Sequence, residues 1–98
     1  MEIIKKADGN KLDIALKGRL DTTTAPQLEA ELSGGLDGVE ELHIDMKELE
    51  YISSAGLRVL LAAQKVMNKQ GSMVISNVND TIREVFEITG FVDILTIV

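Results

Sequence analysis

At 98 residues, the chain is long enough for one small domain spanning 1–98, burying roughly 60 to 65 % of the surface its unfolded form exposes. An apolar fraction of 45 % beside 27 % charged residues excludes a disordered chain, and zero cysteines exclude a disulfide framework or a thiolate metal site. A net charge of −6, with ten Lys and Arg scattered along the chain, excludes the basic patch that nucleic-acid binding needs.

The opening MEIIKKADG has no apolar core for export, and nowhere do about 18 apolar residues run together. Neither a signal peptide nor membrane insertion is expected, and the chain reads as cytoplasmic. EIIKKA and KLDIALK flank Asp8-Gly9, a dipeptide that accepts positive φ, so the first two strands are expected to form an antiparallel hairpin. In the second strand Leu12, Ile14 and Leu16 alternate with Asp13, Ala15 and Lys17, which buries one face; Gly18 is expected to break it. A threonine before Pro26 suits a first helical turn, and a helix is expected from about Ala25 to Leu32, ended by Ser33-Gly34-Gly35.

Glu41 to Met46 reads as a third strand with Leu42, Ile44 and Met46 on one face. A second helix is expected from about Ser54 to Gln70, with Val59, Leu60, Ala63, Val66 and Met67 at helical spacing and Gly71 as its stop. MVISNV is a short apolar strand; Asn79 or Asp80 can cap a third helix carrying Ile82, Val85, Phe86 and Ile88 up to Gly90; Asp93 to Val98 is expected to add a last strand. Strands and helices alternate from the second strand onward. The fold class is therefore α/β, with a largely parallel sheet, right-handed crossovers and the N-terminal hairpin as an antiparallel edge.

Chemistry concentrates where the third strand hands over to the second helix, at YISSAGLR. In open α/β sheets that carboxyl edge is where sites are built. The first amides of a helix have no partner within it, and aligned peptide dipoles add partial positive charge. Ser53 or Ser54 can cap one such donor, and no acid follows in SAGLR, so the helix start is open to an anion. On local chemistry a plain cap and a functional site both remain open. Catalysis is disfavoured: a GxSxG elbow would need glycine where Ile52 stands, and the lone His43, in mid-strand, has no second ligand at metal spacing.

The segment from Leu42 to Gly56, with GRLD at Gly18 to Asp21 and GSMVISNVNDTIREVFEITGF further on, resembles in one register the STAS domains of bacterial anti-sigma factor antagonists. The resemblance implies a mixed, mostly parallel four- to five-stranded sheet with helices mainly on one face. It also implies a protein-binding switch rather than an enzyme, with no cofactor and no metal of its own. In the switch members an anti-sigma factor that is also a serine kinase, itself binding the ATP, is held by the unphosphorylated antagonist, and the sigma factor goes free. Carried onto this chain, the phosphate-accepting serine falls on Ser54, leaving Ser53 as helix cap. Asp21, Thr22, Ser53, Ser54, Ala55, Gly56 and Arg58 fall on the partner-binding surface, the acid closing the third strand falls on Asp45, and a PP2C-type phosphatase would reset the switch. Ser53 stands where many members carry Asp, and Arg58 where many carry a small residue. The alternative is a constitutive STAS accessory subunit, for instance of a transporter, in which Ser54 only caps the helix.

Overall fold

The computed structural model describes all 98 residues. In chain order it contains β1 (Glu2–Asp8), β2 (Lys11–Leu20), α1 (Ala25–Ser33), β3 (Glu41–Ile52), α2 (Ser54–Gln70), β4 (Ser72–Ser76), α3 (Asp80–Thr89) and a 3-10 turn at Phe91–Asp93. The strands form one sheet in the order β1-β2-β3-β4. β1 runs antiparallel to β2, while β2, β3 and β4 are mutually parallel. The hairpin closes with Asp8 opposite Lys11, so its two loop residues are Gly9 and Asn10 rather than Asp8-Gly9, with the positive φ of +60° on Gly9. Glycine in the first of two loop positions is what a type II′ turn requires.

The alternation read from the sequence sets the two faces of the sheet. Leu12, Ile14, Leu16 and Leu20 of β2, Leu42, Ile44, Met46, Leu49 and Ile52 of β3, and Met73 and Ile75 of β4 are all buried in one core. Against them pack Ala25, Leu28 and Leu32 of α1, Leu57, Leu60, Ala63 and Met67 of α2, and Ile82 and Phe86 of α3. Each buried leucine contributes about 1.5 to 3 kcal/mol of hydrophobic stabilisation. Because every helix joins that single cluster, the opposite face, which carries Asp13, Ala15, His43, Asp45 and Ser76, has no helix over it.

Three further expectations are corrected. Gly18 does not break β2: it takes φ +100° and lies between register shifts against β3, and the strand continues to Leu20. Such a bulge needs the left-handed backbone that glycine adopts without strain. β3 does not stop at Met46 but runs on to Ile52 alongside this bulged partner, with its buried positions respaced to Leu49 and Ile52. The C-terminal segment is no full strand; Gly90 turns left-handed at φ +82°, the 3-10 turn consumes Phe91–Asp93, and only Ile97 bridges to Ile75. The sheet therefore has four strands. No helix is long and apolar enough to cross a membrane.

Candidate functional site

β2 and β3 end side by side, Leu20 opposite Ile52, and the chain leaves each of them into a helix. The amide of Ser53 donates to the Leu20 carbonyl at 2.9 Å, which fastens the start of α2 to the turn before α1. Asp21, Thr22, Ser53, Ser54, Ala55, Gly56 and Arg58 thereby come to one edge of the sheet.

Ser53 holds an extended conformation and is the N-cap of α2: its carbonyl accepts the Leu57 amide at 3.0 Å and its hydroxyl oxygen accepts the Gly56 amide at 3.5 Å. The side-chain bond is long, near the outer limit of a hydrogen bond. The first turn of α2 holds no acid, and Ser54 is exposed at its first position. Helix amides without intrahelical partners and the positive end of the dipole therefore face solvent beside the Ser54 hydroxyl. Arg58, one turn further on, is exposed and belongs to none of the ion pairs of the protein.

Gly56 serves close packing. A Cβ there would stand 2.7 Å from Leu20 Cγ and 2.9 Å from Ile52 Cγ1, so α2 starts against the strand ends at a distance only glycine allows. The cost of about 1 kcal/mol in helix propensity is what this approach requires.

Facing this helix start is a turn built around Asp21. Its Oδ1 accepts the Thr23 hydroxyl at 2.7 Å, the Thr23 amide at 3.0 Å and the Thr24 amide at 3.2 Å. Oδ2 lies 3.8 Å from Arg19 Nε, and the Arg19 guanidinium stacks 4.4 Å over the Tyr51 ring. The Thr23 hydroxyl first, then the Thr23 and Thr24 amides, hold the Asp21 carboxyl below the usual carboxylate range. Thr24 is the N-cap residue of α1, but its hydroxyl donates to the Arg19 carbonyl at 2.7 Å instead of capping. Thr22 is left exposed at the tip.

Asp45 does not join this cluster. It lies within β3, seven residues before the strand ends, opposite Ser76. Its Oδ1 accepts Asn77 Nδ2 and the Lys47 amide, each at 2.9 Å, and the Asn77 bond is the main reason its carboxyl is held below the ordinary range. Sequence reasoning also passed over Arg19, Thr23 and Tyr51; only the β2–β3 register, which puts Arg19 opposite Tyr51, reveals them.

None of the three surface concavities is lined by Asp21, Ser53 or Ser54. The largest, about 440 Å³, lies between α1 and α2 among Leu32, Leu36, Val59 and Val66. The serine edge is an open surface rather than a pocket.

A mixed four-stranded sheet covered on one face, with a capped and uncharged helix start at its carboxyl edge, defines a small α/β domain. Residues 4–96 match the family described as Mlab, STAS domain. The chain belongs to the STAS domain family, among the bacterial anti-sigma factor antagonists. It is 44 % identical over 94 residues to BtrV of Bordetella bronchiseptica, assigned as an anti-sigma factor antagonist, covering 94 % of this chain and 80 % of that one. It is 36 % identical over 98 residues to the anti-sigma-B factor antagonist of Listeria monocytogenes, covering 96 % of this chain and 84 % of that one. The fold matches Bacillus SpoIIAA both unphosphorylated and phosphorylated. TM-scores are 0.78 and 0.77 at 19 % and 20 % identity, with 99 % of this chain and 87 % and 91 % of those chains covered.

Proposed function

We propose that this protein is a cytoplasmic anti-sigma factor antagonist whose binding is switched by phosphorylation of Ser54. Unphosphorylated, it binds an anti-sigma factor serine kinase through the edge formed by Asp21, Thr22, Ser53, Ser54, Ala55, Gly56 and Arg58, and the sigma factor is released. The kinase brings ATP and transfers the phosphoryl group; this chain supplies the acceptor hydroxyl, and a PP2C-type phosphatase resets it. The observation that carries the reading is Ser54 itself, exposed at the first position of a helix whose first turn holds no acid. A phosphate there adds about −1.5 to −2 charges where orphan amides accept them, so the fold persists while the surface met by the partner changes.

The second reading, a constitutive accessory subunit, draws on the two departures at this edge, Ser53 and Arg58. Intact mass of the protein from its own cell, with and without phosphatase treatment, separates the two: a mass loss mapping to Ser54 supports the switch, and an unmodified protein under every growth condition supports the constitutive subunit. Incubation with the cognate kinase and ATP followed by peptide mapping tests the site assignment. Phosphate on Ser53 would overturn it.

A further inference from the structure

On the sheet face that no helix covers, three adjacent strands bring together side chains far apart in sequence. Asp13 of β2 is paired with His43 of β3, and His43 reaches across to Ser76 at the end of β4. Asp13 Oδ1 lies 3.1 Å from His43 Nδ1, and Ser76 Oγ lies 2.6 Å from His43 Nε2. A carboxylate only accepts, so in the neutral ring the proton is on Nδ1, and Nε2 is left to accept the serine O–H. Elsewhere on this face the contacts between neighbouring segments are the ion pairs of Lys11 with Glu41 and Lys17 with Glu48 and the single hydrogen bond from Asn77 to Asp45. Here both imidazole nitrogens are used, one by an orienting carboxylate and the other by a hydroxyl. A serine within hydrogen-bond reach of a base that a third group orients is the arrangement that activates a nucleophile.

We propose that Ser76 is a reactive hydroxyl that takes up the acyl group of activated carboxylic esters, with His43 as its base and Asp13 as the residue positioning the imidazole. Ser76 Oγ attacks the carbonyl carbon and its proton passes to His43 Nε2. The bond to the leaving oxygen breaks, the leaving alkoxide or phenoxide takes the proton from Nε2, and the acyl group remains as an ester on Ser76. Beside the array is an open concavity of about 340 Å³ lined by Ile4, Lys6, Asp13, Ala15, His43 and Asp45. Lys6, paired with Asp13, is the cation of this row. Ser76 ends a β-strand rather than opening a helix, so no row of free helix amides is aimed at the position an oxyanion would take. With no such donors both acylation and hydrolysis are slow, but the phenoxide of an activated ester leaves more readily than the serine alkoxide, so the acyl-serine forms faster than water removes it and Ser76 is a modification site rather than the nucleophile of an efficient hydrolase. The charged groups facing His43 are Lys6 from β1, Asp13 from β2 and Asp45 from its own strand; β4 contributes the neutral Val74 and Ser76.

The experiment incubates the full chain with p-nitrophenyl acetate and maps the acetyl groups by peptide mass spectrometry, with Ser72 on the same strand as internal control. Acetyl is expected on Ser76 and not on Ser72, faster at about pH 8 than at about pH 5 because the base must be unprotonated. His43→Gln is expected to slow it by about a hundredfold. Asp13→Ala should lose an intermediate amount that Asp13→Glu partly restores, a recovery that lost sheet stability alone does not explain. All three side chains lie on the helix-free face, and circular dichroism checks that each variant is folded. Acetyl confined to amines, equal acetylation of Ser72 and Ser76, or a folded His43→Gln variant that reacts as fast as the parent would overturn the proposal.

Discussion

α2 and α3 both begin just beyond the carboxyl end of a parallel strand, and they begin differently. At α3 the N-cap Asn79 accepts the Ile82 amide at 2.8 Å, its Nδ2 donates to the Leu49 carbonyl at 2.9 Å, and the first helical residue is already an acid, Asp80. At α2 the Ser53 cap bond is 3.5 Å long, the first residue is the neutral Ser54, and nothing in the first turn complements the dipole. The following positions differ too: the third residue, buried in both helices, is Ile82 in α3 and Gly56 in α2, and the fifth is Glu84 against Arg58. One helix start is closed by its own side chains, and the other is left for something to be added. The largest measurable consequence is in stability. Asn79→Ala is expected to cost about 2 kcal/mol, since it removes a cap and orphans the Leu49 carbonyl, whereas Ser53→Ala should cost about 0.5 kcal/mol. Urea denaturation of both variants checks this, and equal costs would erase the contrast.

Ser54→Asp makes the start of α2 resemble that of α3. An acid there is favoured by the helix dipole, so stability should stay level or rise by about 0.3 to 1 kcal/mol. Affinity for the anti-sigma partner should nevertheless fall at least about tenfold, or 1.4 kcal/mol. Calorimetric titration beside thermal unfolding reads both quantities. A variant that loses stability and affinity together would mean the helix start is merely structural.

A smaller effect is expected at Gly56, where α3 has room for isoleucine and α2 has none. Gly56→Ala gains about 1 kcal/mol of helix propensity but meets Leu20 and Ile52 closer than any real Cβ contact, an overpacking that costs about 1 to 3 kcal/mol. The net expectation is a loss of about 1 kcal/mol in chemical denaturation, and a stabilised variant would show that the strand ends yield easily.

How far this edge could be read beforehand depended on whether its causes were local. The bounds of α2, Ser54 to Gln70, follow from apolar spacing and flanking residues, whereas local chemistry leaves the cap open between Ser53 and Ser54 and the structure puts it on Ser53. The bulge at Gly18, the extension of β3 to Ile52 and the loss of the last strand depend on partners across the sheet, which no window of sequence contains. Asp45 differs for the same reason: the motif makes it the acid that closes the strand, but the longer β3 leaves it well inside, on the open face beside Asn77. The Asp13–His43–Ser76 array needs the register of three strands at once, and alternation told only which face His43 would take.

Asp21 gives a gentler test of the turn opposite α2. Its carboxyl is held low, so its contribution to stability is fully present above the unfolded value of about 3.9 and is lost as pH falls through the lower folded value. Since the Thr23 hydroxyl is the first cause, Thr23→Val should move that carboxyl back up toward the ordinary range. Carboxyl-carbon NMR titration reads the shift; an unmoved curve would transfer the lowering to the two backbone amides and the Thr24 hydroxyl.

The finest distinction between the two helix starts is the fifth residue. Positions four apart share a helix face, so Arg58 stands one turn from Ser54 on α2, where α3 has Glu84 one turn from Asp80. A phosphate on Ser54 would meet a guanidinium able to bind its oxygens, and Arg58 has no ion-pair partner to give up. Both are exposed, which limits the pair to about 0.4 to 1 kcal/mol. A neighbouring positive charge favours the dianion, so Arg58→Ala should raise the second ionisation of the phosphate by about 0.3 to 0.7 units, the same energy on the pH scale. Phosphorus NMR titration of the phosphorylated parent and variant at low salt, where screening is weakest, measures it. Coincident curves would detach Arg58 from the phosphate and assign it to the surface met by the partner, in which case the charge contrast with Glu84 concerns recognition alone.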